Sequence, residues 1–420
     1  MKRLLFLLST LLLFGFAGMR GAGAVEITVL YPQPYLYQAP IEEIVKAFAA
    51  KRPDIQVKLL APTKAYEETA SAVLRGAVTG SMPDIAFNGT NLMHLFVDRK
   101  LAVPLDGFVA KEADWEKQGY VPGMISTGLV NGKLYGMPFA LSTPILYFNA
   151  DLLRKAGGDP AQPPKTWPEL LALARRITDA ASNTHGSYMV WTTTGNYLWQ
   201  ELLFTNDGQM LSPDGKKVGF DTPAGLKTFE ILRDLVKEGG MPNLTDEQAT
   251  QAFIAGQIGF YMSSSARVNS FTNKIGSRFE LGTAPFPSPR PDSKIVSGGA
   301  TMMILAKDPA KQAAAWEFIK FAAGPIGQTI MVRHIGYMPS NQIAIDTPEL
   351  LGNYYANNPN MRTAISQRAR TTAWLGFPGE NSLKAIQVIY DVMESVVAGK
   401  ATPEEALKRS VTQVQALLPK

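Results

Sequence analysis

Hydroxyl and aromatic side chains are the residues of this sequence whose type and spacing best suit a binding site. Ser263, Ser264 and Ser265 follow an apolar, strand-like run and stand where a helix can begin. Hydroxyls beside the free N–H groups of a helix start can hold an oxyanion or the hydroxyl of a solute. The stretch from Trp191 to Trp199 adds rings whose flat apolar faces suit a sugar or polyol. These residue types indicate recognition of a polar solute.

The sequence contains few candidate residues for catalysis or metal binding. The chain has no cysteine, which excludes disulfides, thiolate metal sites and cysteine nucleophiles. Its three histidines, His94, His185 and His334, are scattered, and there is no G-x-S-x-G motif. Adjacent acidic pairs are typical of solvated helix faces. We expect no enzyme, cofactor or metal site. The alternatives are an exported hydrolase and a metal or polyamine binder using the adjacent Tyr354 and Tyr355.

The balance of charge argues against nucleic acid as a partner. The 420 residues carry 41 basic and 36 acidic side chains, a formal net charge of +5. Lys2, Arg3 and Arg20 lie in the acid-free first 24 residues, so residues 25–420 carry a net charge of only +2. A nucleic-acid binder usually shows a concentrated basic footprint. A small neutral or anionic solute stays open, and the length suggests two or three domain-sized units.

Residues 1–24 have the layout of a secretory signal peptide. Lys2 and Arg3 form a basic start, Leu4 to Phe16 form an apolar run, and residues 22–24 are the small residues of a cleavage site. The apolar run is shorter than the roughly 20 residues that span a bilayer. No cysteine follows it to carry a lipid anchor. We expect this segment to be cleaved and the mature chain to be soluble in the periplasm.

The beginning of the mature chain predicts alternating strands and helices. Residues 26–30, 55–59 and 83–87 have the pattern of strands, and two segments of helical periodicity lie between them. This order is typical of an α/β fold and implies a mostly parallel sheet with helices on its faces. Ligands of such sheets bind beyond the carboxyl ends of the strands. The loops at Tyr31–Tyr37 and Asn88–Asn91 are therefore candidate ligand walls.

Local signals predict where helices begin and end. Pro40 is expected at the first position of a helix whose apolar face runs from Ile41 to Phe48. The next helix is expected to end at Gly76. Thr166 and Glu169 have the spacing of a capping box at the start of a later helix. No long flexible linker is present, which suggests two lobes joined by strands that cross between them.

Six motifs occur in the order found in the extracellular solute-binding proteins of bacterial ABC importers. They are Ser142–Asn149, Lys155–Gly157, Pro163–Trp167, Phe253–Phe260, Gly298–Ala300 and Gly336–Pro339. In their order and spacing the sequence resembles the maltose-binding type, family 1, over essentially all of residues 25–420. Residues 159–167 and 399–407 are most similar to the sn-glycerol-3-phosphate-binding members. The resemblance implies a type 2 periplasmic binding fold, with two α/β lobes joined by crossover strands and a ligand cleft between them.

The resemblance also implies how the chain is divided and what it meets. The N-terminal lobe is expected to comprise residues 25–142 and 298–345, and the C-terminal lobe residues 143–297 and 346–420. The protein is expected to be a monomer that closes around one sugar, polyol or glycerol-phosphate type of solute. It would then deliver this solute to the transmembrane permease subunits of an ABC transporter.

Eight residues lie at or near positions where members of this family contact their ligand. They are Tyr66, Asn88, Ser142, Trp191, Tyr197, Ser264, Gly299 and Tyr337. Tyr35 and Trp374 are further candidates for the cleft wall, whereas Trp199 is expected in the core. The match at Asn88 is ambiguous with Thr90.

One position departs from the glycerol-phosphate-binding members. They carry an arginine shortly before the final long helices, and this chain has Pro378 there. A phosphate binder without that guanidinium loses its bidentate partner, unless Arg267, Arg368 or Arg370 replaces it. Trp374 makes the same wall aromatic. The sequence therefore favours a carbohydrate, polyol or glycosyl-glycerol, with glycerol phosphate or its diesters as the second choice.

Overall fold

The structure is a computed structural model that describes residues 24–120 and 122–420. Of the predicted signal peptide, all residues except Ala24 lie outside the described ranges. The strands are β1 (Val25–Leu30), β2 (Ile55–Leu59), β3 (Ile85–Gly89), β4 (Leu129–Val130), β5 (Lys133–Leu134), β6 (Gly136–Ser142), β7 (Pro144–Asn149), β8 (His185–Met189), β9 (Ile258–Ser264), β10 (Leu281–Pro285), β11 (Ile295–Ile304) and β12 (Thr371–Ala373).

The helices alternate with these strands through most of the chain. They are α1 (Pro34–Lys51), α2 (Tyr66–Thr79), α3 (Met93–Val97), α4 (Asp106–Val109), α5 (Pro122–Ile125), α6 (Ala150–Lys155), α7 (Trp167–Ile177), α8 (Tyr197–Thr205), α9 (Pro223–Lys237), α10 (Asp246–Ile254), α11 (Val268–Ile275), α12 (Pro309–Ala323), α13 (Pro325–His334), α14 (Gln342–Asp346), α15 (Asn353–Asn357), α16 (Arg362–Ser366), α17 (Ser382–Val397) and α18 (Pro403–Gln415). None of these helices combines the length and the apolar character needed to cross a membrane.

The larger sheet belongs to the first lobe and has six strands. Its order is β12-β11-β3-β1-β2, with β6 also paired to β11. β1 runs parallel to β2 and β3, as predicted. β11 runs parallel to β12 but antiparallel to both β3 and β6, so three of the five pairings are parallel, in line with the prediction, and the sheet as a whole is mixed. The antiparallel pairings arise because β11 enters this sheet directly from the second lobe, without the helical crossover that parallel neighbours need.

The smaller sheet forms the centre of the second lobe. Its order is β10-β7-β9-β8, in which β7 runs antiparallel to both of its neighbours and β8 runs parallel to β9. All six residues of β7 are buried, because helices and neighbouring strands cover both faces. The last two long helices, α17 and α18, pack on α9 of this lobe. The two lobes confirm the predicted fold class.

The crossings between the lobes meet at one buried glutamine, Gln367. A single residue, Thr143, links β6 of one sheet to β7 of the other. The side-chain nitrogen of Gln367 donates to Thr143 Oγ1 at 2.9 Å and to the Pro144 carbonyl at 2.8 Å. Its Oε1 accepts the Phe286 N–H at 3.1 Å. Phe286 begins the second crossing, the segment from β10 of the smaller sheet to β11 of the larger one. Gln367 itself precedes β12, which returns to the larger sheet.

The pairing of the strands can be compared with the predicted residue limits of the two lobes. The end of β6 at Ser142 coincides with the predicted boundary. β12 pairs with β11 of the larger sheet, although residues 346–420 were assigned to the other lobe. The residue limits of the lobes stay a prediction.

Of three predicted helix boundaries, the start of α1 and the end of α2 are wrong and the start of α7 is confirmed. α1 begins at Pro34, and Pro40 lies inside it. α2 continues past Gly76 and ends before Gly80, whose φ of +75° suits a glycine after a helix. At the start of α7 both bonds of the capping box between Thr166 and Glu169 are formed. A single proline or glycine is compatible with several positions in or near a helix. It therefore predicts a helix boundary less well than a capping box, which needs two residues at a fixed spacing.

Candidate ligand-binding cleft

A cavity of about 810 Å³ lies between the lobes. The first lobe contributes the start of α1 and one face of α2 to its wall, and the second lobe contributes the end of β9 and one face of α17. Small-molecule sites usually enclose about 300–1,000 Å³. The cavity therefore has the size and the interlobe position of a solute site.

Three tyrosine hydroxyls form a short hydrogen-bonded chain that links Tyr66 and Tyr337 of the cavity wall through the buried Tyr37. The Tyr37 hydroxyl lies 2.6 Å from that of Tyr66 and donates to that of Tyr337 at 3.2 Å. The rings of Tyr37 and Tyr337 stack at 6.1 Å. Burial raises the pKa of Tyr37 and of Tyr66 well above the usual range and that of Tyr337 to about 12. All three hydroxyls are therefore neutral near pH 7 and able to donate or accept.

Trp374 forms the centre of an aromatic wall. Its ring makes edge contacts with Tyr66 at 6.0 Å and with Tyr197 at 5.4 Å between centroids. The indole N–H donates to the Gly195 carbonyl at 3.0 Å, and the side chain is almost fully buried. A ring held on three sides keeps one orientation. The wall thus presents fixed aromatic surface to the cavity.

Ser142 lies at the crossover from β6 and is anchored by Tyr197. The two hydroxyl oxygens are 3.1 Å apart, and Tyr197 also donates to the Ser142 carbonyl at 2.9 Å. In the sheet Ser142 pairs with Gly298, and the next glycine, Gly299, pairs with Leu141 and has a φ of +147°. A Cβ at residue 299 would come within 1.8 Å of the Ala140 carbonyl oxygen. The close approach of β6 is thus sufficient to require glycine there.

The end of β9 carries serines and an arginine that is already paired. Ser264 Oγ accepts the N–H of Ala266 and caps the turn that precedes α11, as the serine run predicted. Arg267 donates to Asp246 at 2.5 Å, to Thr250 at 2.9 Å and to Ser263 at 3.1 Å. Every one of these distances uses a different guanidinium nitrogen. Three of the five N–H donors of Arg267 are therefore engaged, and its charge is paired with that of Asp246.

The cavity brings together most of the residues predicted from the sequence. Those that line it are Tyr35, Tyr66, Ser142, Tyr197, Ser264, Gly299, Tyr337 and Trp374. Ligand contact by these residues stays a prediction.

Asn88 and Trp191 do not reach the cavity wall. Asn88 is fully buried in β3, between β1 and β11, and neither atom of its side-chain amide has a hydrogen-bond partner in the described part of the chain. Thr90, the other residue considered at that position, has a buried hydroxyl in the same situation. Trp191 is buried after β8, and the threonines that follow it line the cavity instead. Trp199 packs edge-on against Phe220 in the core, as predicted.

Three residues at the cavity edge were missed by the sequence analysis. Glu67 on α2 faces Thr194 and Tyr390 of the second lobe, and all three line the cavity. Adjacent acids suggested only a solvated helix face. The available signal was the polar spacing along α2 and the residues before it, where Lys64, Glu67, Ser71 and Arg75 recur at helical intervals.

The charged side chains of the cavity wall balance. Three are basic and three are acidic: Lys64, Arg75, Arg267, Glu67, Glu68 and Asp246. Arg368, Arg370 and Pro378 are not part of this wall. No group of histidine and carboxylate residues within the described ranges is arranged to hold a metal ion. Tyr355 lies buried in α15 against Tyr354, away from the cavity wall.

Replacing Ser142 with alanine tests the crossover hydroxyl. We expect solute affinity to fall about 5-fold, the loss of one ordinary hydrogen bond. Stability should change little, because Tyr197 keeps its bonds to the Ser142 and Val296 carbonyls. Calorimetric titration and thermal unfolding measure the two quantities. An unchanged affinity would show that the Ser142 hydroxyl does not contact the solute.

Two α/β lobes around a polar, aromatic cleft define a solute-binding protein of the two-lobed type. The family model described as bacterial extracellular solute-binding protein matches residues 43–363. The chain belongs to this family, whose members serve ABC importers as the solute-binding component.

Known relatives cover nearly the whole chain. The sn-glycerol-3-phosphate-binding periplasmic protein of Escherichia coli (strain K12) is 26% identical over 393 residues, 90% of this chain and 89% of that protein. The UgpB protein of Mycobacterium tuberculosis, solved in complex with glycerophosphocholine, has a TM-score of 0.81 at 21% identity and covers 94% and 98% of the two chains. An ABC substrate-binding protein of Listeria monocytogenes, solved with cycloalternan, has a TM-score of 0.80 at 19% identity with the same coverage.

Proposed function

We propose that this protein is a periplasmic receptor for a neutral carbohydrate or polyol, which it delivers to an ABC permease without catalysing a reaction. The observation that carries the proposal is the aromatic wall of Tyr66, Trp374 and Tyr197 beside the Ser142 hydroxyl. Aromatic faces match the apolar faces of a sugar ring, while hydroxyls fix its orientation. The balanced charge of the wall suits a solute without net charge.

Binding is proposed to occur with closure of the lobes. The residues that line the cavity come from both lobes, so a solute gains its full set of contacts only in the closed form. A ligand that makes more contacts with one state shifts the population toward it. The solute would then be carried as a closed, monomeric complex.

Calorimetric titration of the mature protein with sugars, polyols and glycerophosphodiesters tests the proposal. We expect one solute per chain, with heat and a raised unfolding temperature for at least one carbohydrate or polyol. Mass spectrometry of solute released from protein purified without denaturation identifies the compound independently. Absence of heat and of a thermal shift with the entire panel would contradict the proposal.

A glycerophosphodiester is the second candidate solute. Relatives named for sn-glycerol 3-phosphate and a structural neighbour solved with glycerophosphocholine favour it. The rings of Tyr66 and Trp374 with the carboxylate of Glu67 would also suit a cationic head group. Binding of glycerophosphocholine but of no sugar would select this candidate.

Glycerol 3-phosphate itself is expected to bind weakly or not at all. The chain has Pro378 where an arginine was expected, and the guanidinium of Arg267 is held by Asp246. A dianionic phosphate would thus meet neither the expected arginine nor an unpaired Arg267. Calorimetry checks this expectation, and submicromolar binding would contradict it.

The Asp246→Asn variant provides the matched control. It removes the charge that neutralises Arg267 and keeps a side chain of the same shape. We expect the affinity for glycerol 3-phosphate to rise about 10-fold, in line with the effect of freeing one charge-assisted contact. An unchanged affinity in a folded variant would show that Arg267 does not limit phosphate binding.

A further inference from the structure

One carboxylate joins the two lobes directly across the cavity. Glu67 lies in the first turn of α2 in the first lobe. Its Oε1 accepts the Gly195 N–H at 2.6 Å and the Tyr390 hydroxyl at 3.5 Å, and its Oε2 accepts the Thr194 hydroxyl. Gly195 and Thr194 precede α8, and Tyr390 lies on α17, both in the second lobe. The three donors therefore come from one lobe and the acceptor from the other.

The turn that meets Glu67 has a fixed shape. Gly195 and Asn196 both have positive φ, +62° and +55°. A Cβ at residue 195 would lie 2.4 Å from Asn91 Nδ2 and from the Trp374 ring, so only glycine fits without a shift. The Gly195 carbonyl accepts the Trp374 indole N–H at 3.0 Å. One residue, Gly195, thus connects the carboxylate of Glu67 through its N–H to the aromatic wall through its carbonyl.

The partners of the Glu67 carboxylate across the cavity are uncharged groups. Glu67 has no salt bridge among those of the described residues, and its partners are a backbone amide and two hydroxyls. Hydrogen bonds to an ionised carboxylate are stronger than those between neutral groups. Burial and the neighbouring Glu67 carboxylate raise the pKa of Tyr390 well above its usual range, so its hydroxyl stays protonated. It donates mainly to the Thr193 carbonyl at 2.8 Å and only weakly to Glu67 at 3.5 Å.

We propose that Glu67 is a positioning residue that sets the closing equilibrium of the lobes, and thereby the apparent affinity for the solute. The inference rests on the proposed receptor function and deepens it. Its bonds to Thr194, Gly195 and Tyr390 exist only when the lobes are together, so they stabilise the closed form before any solute contact is counted. Apparent affinity follows the fraction of closed, competent protein.

Distances between paired spin labels test the proposal in solute-free protein. The chain has no cysteine, so Val78→Cys and Lys400→Cys are the only labelling sites. Both residues are exposed, Val78 on α2 and Lys400 just after α17. We expect Glu67→Ala to lower the ratio of closed to open protein about 10-fold, equivalent to about 1.4 kcal/mol. The measurement needs no solute, so its failure and that of the proposed ligand class are distinguishable.

Glu68→Ala is the matched control, because Glu68 has the same charge on the same helix and, among the described residues, bonds only its own lobe through the Lys64 N–H. It should leave the distances unchanged. Thr194→Val should reproduce part of the Glu67→Ala shift, and the double variant should add little to Glu67→Ala alone. Equal shifts from Glu67→Ala and Glu68→Ala, or no shift from either Glu67→Ala or Thr194→Val in folded protein, would overturn the proposal.

Discussion

Replacing Trp374 with alanine is expected to weaken solute binding about 100-fold, the scale of a dominant aromatic contact. The indole lies between the rings of Tyr66 and Tyr197, so its removal opens the wall on both sides. It also frees the Gly195 carbonyl that the indole N–H engages. Titration with a solute identified from the carbohydrate panel measures the loss.

Two further variants separate binding from stability. Trp374→Phe keeps a ring and should lose about 10-fold, since flat surface remains while the N–H is gone. Trp115→Ala removes a tryptophan that stacks on Tyr120 and Trp316, away from the cavity wall, and should leave affinity unchanged. Trp374 is almost fully buried, so thermal unfolding accompanies each titration. Wild-type affinity in folded Trp374→Ala would exclude the aromatic wall from recognition.

Glu201→Gln is expected to change how stability depends on pH. Glu201 lies on α8, fully buried, and its Oε2 accepts the Val296 N–H at 2.7 Å at the start of β11. Its Oε1 has no hydrogen-bond partner in the described residues. Burial raises the pKa of this carboxyl to about 8, despite the opposing effects of the Val296 N–H and the charge of Arg370.

The direction follows from the two pKa values. The unfolded chain releases the Glu201 proton near the ordinary value of 4.5, whereas the folded protein holds it until about pH 8. The protonated Glu201 carboxyl therefore makes its full contribution to the free energy of unfolding below pH 4.5. This contribution is lost as the pH rises to 8. The loss for a shift of this size is at most on the order of 5 kcal/mol. Glu201→Gln has no proton to lose and should not show it.

Urea unfolding of both proteins between pH 5 and pH 9 measures the difference. The wild-type free energy of unfolding should decline relative to that of Glu201→Gln as pH rises, and the variant should be the more stable protein at pH 9. Glu68→Gln, on the exposed face of α2, should keep the wild-type dependence. Parallel curves for wild type and Glu201→Gln would contradict a buried neutral carboxyl.

Local patterns were sufficient for the elements that depend on local chemistry. The alternation of residues 55–59 predicted β2 at its observed limits, and the spacing of Thr166 and Glu169 predicted the start of α7. The direction of β11 was not predictable in this way. It is decided by where the chain enters the sheet, and hydrophobic alternation is the same for parallel and antiparallel neighbours.

The candidate site shows the same division. Ser142, Tyr66 and Tyr337 follow recognisable motifs, and the structure brings them to one cavity. Asn88 was aligned with a family position, but it is fully buried and does not line the cavity. Glu67 was set aside as a solvated acid, because its partners lie over 120 residues away in sequence. Partners that only the tertiary fold brings together leave no local pattern.

The hydrogen bonds of Gln367 are expected to restrict how the two lobes can move. Its amide fastens Thr143, Pro144 and Phe286 to the segment that leads into β12. A joint tied at these points resists sliding and shear, because either would stretch several buried hydrogen bonds at once. Rotation about a single axis is then the softest mechanical mode. A transporter that meets the closed receptor would be presented with one reproducible geometry, whichever lobe the cargo touched first.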